Sequence, residues 1–375
     1  MKGPAARVGD PVAAVDTPAL VIDLDAMQCN LAAMAGFARA KGMRLRPHAK
    51  THKSATIAKL QVEAGAVGVC VQKASEAQAL VDAGVGDVYI SNQIVDDRKL
   101  AHVAALAGRA RLALAVDSAL GVERLTSALR HAGTMLDVYV EIDVGQGRCG
   151  VAPVAAGALA HQVLAHGLRF AGLQAYHGGA QHLRTAAERQ AAIHHAATLA
   201  RAAQASITAA GLVCPLVSGA GTGTFVFEAA SGVYGELQPG SYVFMDADYA
   251  ANEASPHAPV LEQALYVKSQ VMSRGIAHAV IDAGHKSHAI DTGLPRVWGG
   301  GLECSGIEFI NGGDEHGILL AHGGLLPGLG DTVWLVPGHC DPTVNLHSHY
   351  VVLAGGLTHG TVQAIWPIEA RGCVA

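Results

Sequence analysis

From about residue 40 to about residue 245, short runs rich in Val, Ile and Leu alternate with Ala-rich stretches whose apolar residues recur at helical spacing. A short, almost wholly apolar run bounded by Gly or polar residues suits a strand covered on both faces, as in a parallel sheet wrapped by helices. The pattern predicts strands near Arg44 and over 67–71, 88–91, 112–116, 138–144, 172–176, 216–218 and 237–243. Eight strand-then-helix units predict an α/β chain closed into a (β/α)8 barrel. Asp25 and Gln28 have capping-box spacing ahead of Leu31 and Met34, and an Ala-rich run over 185–210 is closed by Gly211, so both read as helices.

After Asp246 the helical period disappears. Gly- and Pro-punctuated runs such as Ala279-Val280-Ile281-Asp282, Thr332-Val333-Trp334-Leu335-Val336 and Tyr350-Val351-Val352-Leu353 take its place, as in a β-sandwich or β-barrel. The expected division is a barrel over 20–245 and a C-terminal β domain over 246–375, joined by residues 1–19.

With half of its residues hydrophobic and 15% charged, the 375-residue chain has ample material for such a core. A formal net charge of −5 without a Lys/Arg block argues against nucleic acid and anionic membranes and points to a small ligand. Seven scattered cysteines with no C-x-x-C pair read as reduced thiols, and no apolar run reaches the length of a signal peptide core or a membrane span. A soluble cytoplasmic protein is expected.

In such a barrel the loops after the strands carry the chemistry. Arg46-Pro47-His48-Ala49-Lys50-Thr51-His52-Lys53 follows the first strand, and a lysine there can form an imine if burial or the charge of Arg44, Arg46, His48 and His52 lowers its pKa. The same octapeptide also reads as a basic surface turn. Ser218-Gly219-Ala220-Gly221-Thr222-Gly223-Thr224 follows the seventh strand; its glycines allow N–H groups to converge on an anion, although a tight βα turn needs glycine as well. Arg148, among glycines after the fifth strand, can hold an anionic oxygen or a carboxylate. Gln72, Asn92, Tyr176 and His177 also follow strands. Near the C-terminus, His339 and Asp341 flank Cys340, and in an extended segment residues two apart share a face. Imidazole plus carboxylate suits Mn²⁺, Mg²⁺, Co²⁺ or Zn²⁺.

Four stretches together resemble the D-threonine aldolase and D-serine dehydratase family: Asp16-Thr17-Pro18-Ala19-Leu20-Val21-Ile22-Asp23, the Pro-His-Ala-Lys run, Val71-Gln72-Lys73-Ala74-Ser75-Glu76-Ala77 and Ile90-Ser91-Asn92. The likeness continues almost to the C-terminus. It implies an alanine-racemase-like fold and pyridoxal 5'-phosphate on Lys50, with Gly221, Thr222 and Gly223 toward the phosphate and Gln72, Arg148 and Tyr176 (or His177) beside the cofactor. In that family the aldolases carry His-x-Asp where the dehydratases carry His-x-Cys, so His339 and Asp341 imply a metal-activated aldolase for D-β-hydroxy-α-amino acids. Manganese is the metal expected and a homodimer the assembly, with Lys50, His339 and Asp341 catalytic. The alternatives are a D-serine or 3-hydroxy-D-aspartate dehydratase and a non-catalytic cofactor carrier.

Overall fold

The computed structural model describes residues 5–299, 306–323 and 325–375. Cys304, one of the seven cysteines, lies outside them. Eight short parallel strands, Arg44–Leu45, Val69–Val71, Asp87–Ile90, Arg111–Val116, Asp137–Glu141, Arg169–Gln174, Val217–Gly219 and Glu236–Leu237, pair in the order first, eighth, seventh and so on down to second. Val67 N–H to Leu45 O (2.9 Å), Cys70 N–H to Pro47 O (2.8 Å) and Ala49 N–H to Cys70 O (2.7 Å) join the first strand to the second and close the barrel. The strands' apolar side chains are buried between the barrel wall and the helices; Val69, Val88, Leu114, Val138, Val140 and Leu173 are less than 1% exposed. Each such side chain contributes about 1.5–3 kcal/mol.

Inside the barrel, buried polar groups accompany a small cluster of Cys70, Tyr89, Ala113, Ala115 and Tyr139. Arg46 lies there between Asp87 (2.6 Å) and Glu236 (3.2 Å), and Arg44 adds a second bond to Glu236 at 3.1 Å. These two arginines are therefore spent on carboxylates within the barrel and do not surround Lys50, contrary to the sequence expectation. Gln174, Gln238 and Ser218 form another buried hydrogen-bonded group there.

Boundaries differ from expectation in three places. The eighth strand is Glu236–Leu237 and not 237–243, because Pro239 and Gly240 break it and Ser241–Val243 forms a single 3-10 turn. The first helix, Leu24–Ala40, is capped by Asp23, whose carboxylate accepts the N–H groups of Asp25 and Ala26; Asp25 is thus inside the helix and no capping box forms at Gln28. Finally, Ala19–Asp23 is a strand of the second domain's sheet, so the N-terminal part of that domain runs to Asp23 and not to residue 19. It pairs antiparallel with Leu265–Arg274 and parallel with His349–Ala354. The path of this sheet runs Ile307–Asn311, Gly317–Ala321, His278–Ile281, Leu265–Arg274, Ala19–Asp23, His349–Ala354 and Thr361–Pro367, with Thr332–Val336 and Arg296–Val297 paired to one side. Leu20, Ile22, Leu265, Val267, Leu335 and Val352 pack with Met27 and Met34 of the first helix, which joins the domains.

Candidate active site

The barrel strands open at their C-terminal ends into a cavity of about 480 Å³. Lys50 reaches it from the loop after the first strand, which turns sharply because Gly240 passes against His48: a Cβ on Gly240 would lie 3.1 Å from the His48 carbonyl and closer still to Thr51. Lys53, the other lysine of the motif, is buried and paired with Glu76 at 2.5 Å, so only Lys50 of the two lines the cavity. His48 Nδ1 accepts the Lys50 backbone N–H at 3.3 Å, and its Nε2 faces the Gln72 amide (2.9 Å) and Ser91 Oγ (3.3 Å). Burial, aided by the Lys50 charge, holds His48 well below the usual histidine pKa, so it is a neutral spacer.

Lys50 Nζ donates to Asp341 Oδ2, which links the barrel to the second domain. Burial works against the ammonium, but the charge of Asp341 outweighs it and holds the Lys50 pKa above its ordinary value. Its nearest charged partner is thus a carboxylate, the opposite of the cationic surroundings expected from the octapeptide. Asp341 is held below the usual carboxylate range, since Lys50 and His339 overcome the effect of burial.

The segment carrying His339 and Asp341 is not an extended strand. Cys340–Val344 is one short turn of helix and His339 is its N-cap residue, with φ −140° and ψ 139°. The pair still converges: His339 Nε2 lies 3.7 Å from Asp341 Oδ1. Asp246, just beyond the eighth strand, makes this possible. Its Oδ2 accepts from His339 Nδ1 (2.8 Å), Cys340 N (3.0 Å) and Cys340 Sγ (3.2 Å), and its Oδ1 accepts Tyr249 N–H (2.9 Å).

Asp246, His339 and Cys340 offer ligand atoms within 4.8 Å of one another, which makes this corner a candidate metal site. The hydrogen bonds sort the donors. An Nδ1–H given to Asp246 leaves Nε2 as the free lone pair beside Asp341, the arrangement by which a carboxylate orients a ligating histidine. Cys340 is fully buried, and burial pushes its thiol well up, away from the thiolate a metal needs.

The remaining expected residues divide. Tyr176, Gly221 and Thr222 line the cavity with Gln72 and Arg148, and the Arg148 guanidinium sits 5.7 Å from the centre of the Tyr176 ring. Gly223 instead lines an adjoining cavity of about 260 Å³ that shares Thr222 and Tyr249 with the first. His177 is off the cavity wall, its Nδ1 accepting Ala180 N–H at 3.3 Å, and Asn92 bonds the Gln72 carbonyl at 3.1 Å. His347, close by in sequence, is turned away, its Nε2–H donating to Ser287 O at 2.7 Å. A pyridoxal phosphate fits the set: an amine projects into the cavity, and Gly221 and Gly223 form a turn so close to Gln181 that a Cβ at either would strike it.

Two family models match: "Alanine racemase, N-terminal domain" over residues 22–248 and "Putative serine dehydratase domain" over 264–353. A D-threonine aldolase of Arthrobacter sp. is 46% identical over 98% of this chain and 96% of its own length. The chain belongs to this family of lyases. A 3-hydroxy-D-aspartate aldolase of Paracoccus denitrificans is 40% identical over 92% of the chain and 89% of its own. The crystal structure of D-threonine aldolase from Filomicrobium marinum superimposes with a TM-score of 0.93 at 48% identity, covering both chains in full, against 0.83 and 29% for D-threo-3-hydroxyaspartate dehydratase from Delftia sp. HT23, which covers 96% of this chain and 98% of its own.

Within this family member, sequence reasoning missed Asp246, Gln181 and Tyr249. Asp246 had a signal, since an aspartate directly before Ala247-Asp248-Tyr249 is a helix cap, but nothing in the spacing tied it to His339. Tyr249 lines the cavity with its ring 6.1 Å from that of His339. Away from the cavity, Tyr234 donates to Ala175 O at 2.9 Å, Asp282 accepts from Thr17 and Ser269, and Asp314 and Glu315 pair with exposed Lys286. No described helix is long and apolar enough to cross a membrane.

Proposed function

We propose that this chain is a metal-activated, pyridoxal-phosphate-dependent aldolase that cleaves D-β-hydroxy-α-amino acids of the D-threonine type to glycine and an aldehyde. The observation that carries the reading is the contact of Lys50, which lines the cavity, with Asp341, beside which His339 Nε2 lies at 3.7 Å: the amine comes from the barrel, and the N,O donor pair from the β domain. Lys50 would hold the cofactor, with Gly221 and Thr222 at its phosphate and Gln72, Arg148 and Tyr176 about the ring. When bound, pyridoxal phosphate supplies an electron sink for the pair left on Cα as the Cα–Cβ bond breaks. His339 and Asp341 would hold a divalent ion, which would supply Lewis acidity toward the β-hydroxyl, and Mn²⁺ is the ion we assign.

The chain's own groups set the geometry. Asp341 Oδ2 takes the Lys50 hydrogen bond, so a proton carried on that amine has an acceptor directly beside it. Arg148 gives the wall above Tyr176 a fixed positive charge suited to a substrate carboxylate. Neutral His48 adds no competing charge beside Lys50. A carboxylate at 341 favours an exchangeable ion with open positions, whereas a thiolate would favour tightly held zinc; this supports cleavage over dehydration. The activities for which the Arthrobacter and Paracoccus relatives are named support the same choice and the D configuration. The six described cysteines are all free, consistent with a cytoplasmic protein, and we place the active assembly as a homodimer.

The test compares D-threonine and D-serine, each with and without EDTA. Expected are glycine and acetaldehyde from D-threonine, lost on chelation and restored by Mn²⁺. Pyruvate and ammonia from D-serine at the higher kcat/KM, or full activity after exhaustive chelation, would sink the assignment.

A further inference from the structure

Behind the Gly221-to-Thr224 turn lies a chain of buried polar groups that the proposed reaction does not use. Gln181 has no exposed surface. Its Nε2 donates to Thr224 Oγ1 (2.8 Å) and to His177 O (3.1 Å), while its Oε1 accepts Gly223 N–H at 3.0 Å. The Thr224 hydroxyl in turn bonds Glu228 Oε1 at 2.7 Å. Glu228 is 1% exposed, and among the described residues its Oε2 has no partner and no Lys, Arg or His pairs with it.

We propose that Glu228, acting through Thr224 and Gln181, is a positioning residue that fixes the turn from Gly221 to Thr224 for a phosphate monoester dianion. This deepens the pyridoxal-phosphate reading and rests on it. The turn carries glycines at 221 and 223 because Gln181 fills the space a side chain would need, and the same Gln181 pins the Gly223 N–H. The amide is held in that orientation by His177 O and, at the shorter distance, by Thr224 Oγ1, and Thr224 is held in turn by Glu228.

An ionised carboxylate with one neutral hydrogen bond and no cation costs several kcal/mol to bury. Accordingly, burial pushes Glu228 up to about 8, only partly offset by the Thr224 bond. The titratable groups that feel its charge are the hydroxyls of Tyr234 and Tyr176, both themselves pushed up by burial and neither a cation. Near neutral pH, Glu228 thus supports the turn without placing a negative charge behind it. Ionisation above that range adds like charge behind the turn and weakens its hold on a dianion.

The test titrates full-length protein, stripped of cofactor, with pyridoxal 5'-phosphate and with pyridoxal, which lacks the phosphate, at pH 7 and pH 9, following visible absorbance. Thr224→Val and Glu228→Ala should lower the phosphate-over-pyridoxal affinity ratio about tenfold, the worth of one buried hydrogen bond, and leave pyridoxal affinity unchanged. Glu228→Gln keeps the bond but cannot ionise, so its ratio should match the unsubstituted protein at pH 7 and exceed it at pH 9. Equal ratios in all four proteins, or the same pH dependence with Gln as with Glu, would overturn the inference. If Glu228→Ala does not fold, judged by circular dichroism, the Val and Gln variants decide it. An unsubstituted protein that shows no preference for the phosphorylated form refutes the cofactor reading itself, which separates the two failures.

Discussion

Replacing Asp246 by Asn separates the orientation of His339 from the proposed ligands themselves. One oxygen of Asp246 takes three donors, His339 Nδ1, Cys340 N and Cys340 Sγ, and the other takes Tyr249 N–H. Asparagine has one oxygen and one NH2, so it cannot serve both sides. If its oxygen stays with Tyr249, the NH2 faces His339 and Cys340; the imidazole must then accept at Nδ1 and carry its proton on Nε2, where the metal would bind. If the amide turns over, its NH2 confronts the Tyr249 N–H and leaves a donor unpaired, at about 1–3 kcal/mol. Loss of such an orienting carboxylate typically weakens metal binding about 10- to 100-fold, or about 1.4–2.7 kcal/mol. The assay is D-threonine cleavage across free Mn²⁺ concentrations set by a metal buffer. The activation constant should rise by that factor while the visible cofactor absorbance stays, because Lys50 is untouched. An unchanged activation constant in a folded Asp246→Asn protein would refute the orienting role.

Borohydride reduction should fix the cofactor on Lys50, and Lys50→Ala should lose both turnover and the reduced adduct; mass spectrometry finding the adduct on Lys53 or Lys73 would contradict the geometry. Gly221→Val should weaken cofactor binding by at least tenfold through collision with Gln181, whereas an equivalent change at His194, on the long helix Ala186–Ala209, should not; equal affinities by absorbance titration would count against the turn's role. Asp248 is held down to about 2, because hydrogen bonds from His182 and Arg184 outweigh burial. Its folded pKa lies below its unfolded one, so its stabilisation is present above about pH 4 and disappears as pH falls toward 2. Asp248→Asn should therefore cost about 2 kcal/mol at neutral pH in urea unfolding, with the difference closing at pH 2; a difference constant with pH would refute the ion pair's contribution.

The barrel was legible because strands buried on both faces must be short and apolar, and helices packed outside them must repeat near every third or fourth residue. Lys50 and the Gly221 turn could be placed for the same reason: a strand end fixes where the next loop begins. What failed was local or remote. The eighth strand was drawn too long because Ser241-Tyr242-Val243 has strand-like residues, and only Pro239 and Gly240 signal the break. His339 and Asp341 were paired by assuming an extended chain; they meet instead across a helix start. Arg44 and Arg46 were assigned to Lys50 from sequence proximity, while the pleat sends them toward Glu236 and Asp87 inside the barrel. Asp246 and Glu228 act through contacts that single-sequence spacing does not encode.

The strand Ala19–Asp23 sits between Leu265–Arg274 and His349–Ala354, so the chain's first strand is sealed by some of its last. During synthesis, Lys50 and the barrel leave the ribosome long before this strand has a neighbour, and the proposed metal pair arrives later still. An interrupted chain therefore bears an unpaired strand edge, the template along which chains aggregate, and a Lys50 without its Asp341 partner. Completing the second sheet and completing the proposed catalytic site are thus one event in the life of the polypeptide.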